Sequence, residues 1–476
     1  MRWFIAFVLI SIYIFMVERT KTKGFSAAKN KPEKKTKTSE VKNSESLELS
    51  DEQNLLFKLI ESTKDNLFIT GKAGTGKSVL LKYFKNHSSK KVIVVAPTGV
   101  AALNVGGQTI HSVFNIRPGF INKYVNNISE SYQELLINVE SIVIDEISMV
   151  RADIIDYIDN MLRKTRNSKM AFGGVQIITF GDLYQLPPIV SDPELNKYFK
   201  LNYGGYYFFN ARVWKHTNLR IYELKKIFRQ QDDSFKSILN SIRVGKVDSN
   251  MINLLNKRTV SKVPTQGVIS LAATNKVVSQ INEKKLSSLE NKQYNYLSVK
   301  TGKLNPNDYL AEGLLKLKVG AQIMMINNDR DKRWVNGTLG LVEYLDKDTV
   351  RVNISAQSYT LDKETWSKIK YRYNKEEGRI EEEEISSITQ FPLKLAWAIT
   401  IHKSQGQTFN RCVIDLKGGG FAHGQIYVAL SRCKSLKGLY ILNPIKASDI
   451  HVADEVVEFM KLAKPLLAAS LATIVK

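Results

Sequence analysis

The sequence predicts an α/β protein: two units built on parallel sheets, with a small β-barrel inserted in the second. Three observations carry this. Short apolar, β-branched runs alternate with helical stretches twice along the chain, the pattern of parallel strands covered on both faces. Within the second set lies a stretch, 318–388, whose apolar residues alternate singly between Asn-Gly and Asp-Lys-Asp turns, the texture of antiparallel strands. The length, 476 residues, suits roughly three domains of about 150 residues each.

Taken in order, the chain opens on an apolar run, Trp3–Val17, preceded by Arg2. Fifteen residues of helix reach about 22 Å, short of the roughly 30 Å hydrocarbon core of a bilayer. The next stretch, Glu18–Lys37, carries eight Lys/Arg, which by the positive-inside rule would keep the body cytosolic. A cytosol-facing anchor and a misassigned start at Met16 both fit; export does not. Residues 18–46 are polar and read as a disordered linker. Ser50, Glu52 and Gln53 ahead of Leu55, Leu56, Leu59 and Ile60 predict a capped amphipathic helix. Strands are expected at Leu67–Thr70, Val92–Ala96, Ile142–Asp145 and Val175–Phe180, and again at Val268–Ala272, Lys394–Ile399, Cys412–Leu416 and Gly438–Leu442. The acidic Glu376–Glu384 reads as a solvated hairpin. The expected division is 1–46 leader and linker, 47–215 first unit, 216–317 with 389–445 second unit, 318–388 barrel, and 446–476 a helical tail.

The balance of 69 Lys+Arg against 46 Asp+Glu gives a formal +23. Residues 1–50 hold ten basic and five acidic residues, so most of the excess sits in the folded body and favours a polyanionic partner. Cys412 and Cys433, two in all, exclude a disulfide framework, and no Cys/His cluster has zinc spacing.

The chemistry starts at Gly71–Ser78, GKAGTGKS. It fits G-x-x-x-x-G-K-[ST] between a predicted strand and a predicted helix, the context that a phosphate-binding loop requires. Gly71, Gly74 and Gly76 let backbone N–H groups turn toward phosphate oxygens. Lys77 is expected on the β/γ-phosphates and the Ser78 hydroxyl on Mg²⁺. Asp145-Glu146 ends a buried apolar strand, where a parallel sheet places its ligands. Asp145 would complete the Mg²⁺ shell and Glu146 would deprotonate the attacking water. ATP and Mg²⁺ are therefore the expected cofactors.

These pieces, with LSDEQ at 49–53, APTGVAALNVGGQTIHSVF at 96–114, IDEISMVRADIIDYIDNMLR at 144–163, FGDLYQLPPI at 180–189, FRQ at 228–230, ITIHKSQGQTF at 399–409 and YVALSRC at 427–433, resemble the superfamily-one DNA helicases of the petite-integration-frequency (PIF) type, related to RecD. The resemblance runs from about Leu49 to Leu442. It implies two RecA-like P-loop NTPase domains with ATP between them. It implies that Gln53 reads adenine, that Gln185 senses the γ-phosphate, and that Arg229 and Arg432 are arginine fingers from the second domain. Thr75 and Gly406 join the nucleotide set. Thr98, Gly99 and His111 in the first domain, and Thr400, His402, Lys403 and Ser404 in the second, match strand-contacting motifs. Small hydroxyls, N–H groups and a lysine grip phosphates without reading bases. The segment Phe114–Tyr132 is by resemblance the wedge-bearing insertion. The implied activity is ATP-dependent 5′→3′ unwinding of DNA in repair or recombination, on single strands and duplex junctions, in the cytoplasm. A membrane-tethered ATPase switch and a helicase acting on RNA or RNA–DNA hybrids are the competing readings.

Overall fold

A computed structural model describes residues 49–465 except 117–118, 120, 122–128, 191, 231, 265–266, 303–310 and 417–421. The expected leader and linker lie outside these residues. Among the described residues, no helix is long and apolar enough to cross a membrane.

The first helix, Asp51–Ser62, starts on a reciprocal cap: Ser50 Oγ accepts from Gln53 N, and Gln53 Oε1 accepts from Ser50 N. Leu56, Leu59 and Ile60 are its buried stripe. It covers a sheet of seven parallel strands in the order 464–465, 219–224, 66–71, 176–181, 141–144, 92–96 and 108–109. Strands Asn66–Gly71, Ser141–Ile144 and Gln176–Gly181 are buried along their whole length, which is why they read as continuous apolar runs rather than alternating ones.

Two boundaries differ from expectation. The strand Leu219–Leu224 pairs with Asn66–Gly71 along its whole length, so the first lobe extends past residue 215. The tail holds the expected helix, Asp454–Met460, but Lys464–Pro465 then pairs with Tyr222–Glu223 as a strand. Packing fixes that return: the Phe459 ring stacks on Phe209 at 4.2 Å and nearly parallel, and lies beside Phe68 and Phe208.

The second lobe has four parallel strands in the order 398–400, 269–272, 412–415 and 439–441. The expected strand Lys394–Ile399 is in fact two. Leu393–Leu395 pairs antiparallel with Gln322–Met325 in the insertion, and Ala398–Thr400 joins the parallel sheet. Gln322, 2% exposed, holds this junction by donating to Val268 O and Ala396 O, both at 2.8 Å.

The insertion contains a five-stranded antiparallel sheet in the order 357–360, 350–354, 339–345, 322–325 and 393–395. Its core gathers Trp334, Val350, Val352 and Leu393. Antiparallel pairing begins earlier than residue 318, with Tyr294–Leu297 on Leu314–Leu317, and Val299–Gly302 joins the long hairpin Glu364–Asn374/Arg379–Gln390. The acidic segment is at that hairpin's turn, as expected, but the hairpin is docked rather than free. Tyr371 is 4% exposed and its hydroxyl meets Val94 N at 3.3 Å. Glu382 pairs with Lys85 at 2.8 Å.

Candidate nucleotide and strand-binding site

The expected Walker-type residues of the first lobe lie at the C-terminal ends of its sheet's strands, the edge at which open α/β sheets bind ligands. The strand 66–71 leads into the phosphate loop, 141–144 into Asp145-Glu146, and 176–181 into Asp182 and Gln185. Two glycines of the loop are sterically required. Gly74 has φ +84°, and a Cβ there would lie 2.4 Å from Arg229 Cβ; Gly76 has φ +80°, and its Cβ would lie 2.4 Å from Gln53 Nε2. Helix Lys77–His87 starts directly after this turn.

The loop borders a cleft of about 430 Å³ that brings together Gly74, Thr75, Gly76, Lys77, Ser78, Asp145, Glu146, Gln185, Arg229, Gly406 and Arg432. Gly71 lies behind it, packed on Thr75 and Leu224. Lys77 Nζ folds back onto the loop, donating to Gly71 O at 2.6 Å and Lys72 O at 3.1 Å. Burial pushes the Lys77 pKa down. Burial, then the charge of Arg432, does the same to Arg229, and burial lowers Arg432. On the acidic side, burial and the neighbouring Glu146 push Asp145 up to about 7, and burial raises Glu146. Each set is short of counter-charge. A polyphosphate against the cations and a divalent ion against the carboxylates would offset both penalties. Ser78 and Asp145 supply hard oxygen donors on one wall, which fits Mg²⁺ holding most of its water. Among the described residues no cluster of three or more His, Cys, Asp or Glu forms a metal cage.

The two arginines reach the cleft by different routes. Arg432 follows the buried helix Gln425–Ser431 of the second lobe and is 1% exposed, donating to Val428 O at 2.9 Å and Ser431 Oγ at 2.8 Å. Arg229 lies on the connection between the lobes, not within the second. Phe228 N bonds Gly74 O at 2.8 Å, so the connection runs along the phosphate loop, and Arg229 donates across to Gly406 O at 3.3 Å.

Gln53 is held against the phosphate loop. It is 3% exposed, and both ends of its amide are used, on Ser50 N and on Gly76 O at 3.0 Å. It props the loop and does not line the cleft. The ring at the cleft mouth is Phe228, 51% exposed. The FRQ motif signals its arginine, and nothing in the spacing marks this ring. Nor does the spacing mark Arg243. That side chain is 4% exposed and pairs with Asp182 at 3.0 Å and Glu223 at 3.2 Å under the Tyr184 ring. Burial opposes the Arg243 charge, but Asp182 and Glu223 outweigh it and raise its pKa.

A second cavity, about 470 Å³, shares Ser78, Asp145, Glu146 and Gly406 with the first and continues to Thr98, His402, Lys403 and Gln405. His402 and Lys403 are exposed. Thr400 and Ser404 are not: they are 4% and 0% exposed. Thr400 Oγ1 accepts from Lys403 N, and Ser404 Oγ donates to Ile401 O at 2.7 Å. Their hydroxyls build the turn. Thr98 Oγ1 caps the helix Gly99–Asn104 by accepting from Ala101 N. His111 is half-buried outside this cavity, and burial, then Arg151, lowers its pKa. In the expected wedge, Phe114 is a core residue at 0% exposure. Most of 117–128 lies outside the described residues.

The family model described as PIF1-like helicase matches residues 48–253. The ATP-dependent DNA helicase Pif1 of Bdellovibrio bacteriovorus is 33% identical, over 87% of this chain and 92% of that one. The ATP-dependent DNA helicase PIF1 of Candida albicans is 32% identical over 89% of this chain, which spans only 57% of that protein. Bacteroides Pif1 in complex with ADP-AlF4 is similar in structure, with TM-score 0.82, 40% identity, and coverage of 88% of this chain and 100% of that one. Bacteroides Pif1 bound to single-stranded DNA gives TM-score 0.63 at 40% identity, over 88% of this chain and 100% of that one.

Proposed function

Given that this chain belongs to the PIF1-like helicase family, we propose that it is an ATP-dependent DNA helicase that moves 5′→3′ along single-stranded DNA and opens duplexes ahead of it, in repair or recombination. One observation carries the reading. A cleft lined by the phosphate loop and by residues of both lobes shares Ser78, Asp145, Glu146 and Gly406 with an adjoining cavity bordered by exposed His402 and Lys403.

Lys77 leaves the loop carbonyls for the β/γ-phosphates, which then occupy the backbone N–H groups of 74–78. Ser78 and Asp145 would hold Mg²⁺, which would supply charge neutralisation for the phosphates. Glu146 takes the proton of the attacking water. Arg229 and Arg432 meet the charge that develops on the transferred group, a contribution of roughly 10³–10⁵ in rate for an arginine finger. Because Arg432 belongs to the second lobe and Lys77 to the first, closing on ATP and reopening after hydrolysis becomes relative motion of the lobes. Thr98 on one lobe and His402 and Lys403 on the other grip phosphates alternately without reading sequence.

An anchor at 3–17 would hold this motor cytosol-facing at a membrane; comparing membrane fractionation of the full chain with one lacking 1–46 tests it. The central test is unwinding of 5′-tailed and 3′-tailed duplexes, together with ATPase stimulation by single-stranded DNA or RNA. Displacement with the 5′ tail and DNA stimulation are expected. Displacement only from the 3′ tail would refute the direction, and RNA-only stimulation would refute the substrate.

A further inference from the structure

Gln405 sits in a motif otherwise concerned with the strand, yet its side chain lies at the hydrolytic centre. Its Nε2 donates to Glu146 Oε2 at 2.9 Å and to Gln185 Oε1 at 3.2 Å. With its carbonyl held there, Gln185 turns its own amide nitrogen to Asp182 Oδ2, 3.4 Å away. The γ-phosphate sensor thus aims its donor at Asp182, and the base has one carboxylate oxygen occupied.

The backbone beneath Gln405 is a compact turn. Ser404 N bonds Thr400 O at 3.0 Å, Gln405 N bonds His402 O at 3.2 Å, and Gln407 N bonds Ser404 O at 3.0 Å. Exposed His402 and Lys403 therefore share one rigid unit with Gln405. That unit is tied to both arginines, through Ser404 O to Arg432 at 3.4 Å and through Gly406 O to Arg229 at 3.3 Å.

We propose that Gln405 is a positioning residue that restrains Glu146 and Gln185 until a strand engages the 400–407 turn. Phosphates drawn onto His402 and Lys403 displace the turn, and the Gln405 amide leaves with it. Glu146 Oε2 is then free to accept from water, and Gln185 is free to turn its amide toward the γ-phosphate. The coupling runs through one side chain whose two arrangements differ in a pair of hydrogen bonds, one of them to a carboxylate. The inference rests on Glu146 being the base.

The test compares Gln405→Met, which keeps the volume and removes the donor, and Gln405→Ala with the unaltered full chain. ATPase kcat and KM are measured with and without oligo(dT), alongside oligo(dT) affinity. Both variants should raise the strand-free kcat about three- to tenfold, consistent with losing one such bond. KM for ATP should stay within about twofold, while oligo(dT) affinity should rise by about the same three- to tenfold because the strand no longer has to break the restraint; the stimulation ratio falls. A wild-type ratio in Gln405→Met, or a lower strand-free kcat, overturns the proposal. Glu146→Gln separates the two readings. If it retains turnover, the base assignment fails. If it is inactive while Gln405→Met keeps the wild-type ratio, only the restraint fails.

Discussion

Lys77 and Glu146 set the sharpest expectations at the residue scale. Lys77→Ala should abolish detectable turnover and weaken ATP binding. Glu146→Gln should bind ATP with near-normal affinity but lower kcat by at least about 10²-fold, the usual range for a lost general base. Nucleotide-binding titrations and steady-state ATPase rates check both. The acidic pair also makes a stability prediction. Asp145 and Glu146 have folded pKa values raised by burial. Between about pH 4 and 7 the folded chain therefore holds more protons than the unfolded one, and their contribution to stability falls as pH rises through that window. Asp145→Asn keeps the acceptor for Glu146 N but removes one charge. It should raise the nucleotide-free melting temperature at neutral pH by about 1 °C, the effect of roughly 1 kcal/mol in a chain of this size, while eliminating hydrolysis. Phe228→Ala should raise KM for ATP with kcat little changed, because a ring at the cleft mouth binds ground and transition states alike.

At the scale of elements, two segments are held by contacts far away in sequence. The hairpin 364–390 leaves the insertion and docks on the first lobe through Tyr371, Glu382 and Lys375, which pairs with Glu134. The Tyr371 hydroxyl is the buried part of that contact. Tyr371→Phe strips Val94 N of its side-chain partner, and chemical denaturation should show a loss of about 1 kcal/mol. The C-terminal helix and strand close the first sheet. Phe459→Ala removes a ring stacked on Phe209 and should cost about 2 kcal/mol, less than a fully buried phenylalanine. The strands most legible in the sequence were those buried on both faces, such as 141–144 and 176–181, since continuous apolar runs leave little choice. The uniform composition of Lys394–Ile399 reads as one strand; the break between two sheets is set by Gln322 in a distant strand.

For the whole molecule, the buried pair Arg243–Asp182 is the joint between the lobes. Asp182 follows a strand of the first sheet, and the helix of Arg243, Asp233–Arg243, packs on Gln425–Ser431 of the second lobe. Breaking it with Arg243→Met leaves Asp182 buried without its cation. A loss of about 3–5 kcal/mol is expected, read as a lower denaturation midpoint with weakened ATPase. The formal +23 predicts that strand affinity falls steeply with salt, as log K against log [salt], because phosphate contacts release counterions. A flat salt dependence would exclude phosphate gripping as the main source of affinity.

The sequence alone determined the chemistry. A glycine-rich loop with lysine and serine, an acidic pair at a strand end, and two arginines in fixed order can be read as letters, because catalysis needs those groups and the parallel sheet presents its ligands at one edge. Tertiary structure decided which way the side chains face. Gln53 bonds the phosphate loop, Thr400 and Ser404 are buried in a turn, Arg229 lies on the connection between lobes, and Gln405 reaches the hydrolytic carboxylate. Each of these orientations is fixed by partners distant in sequence or by satisfaction of buried polar groups, and neither spacing nor composition encodes them.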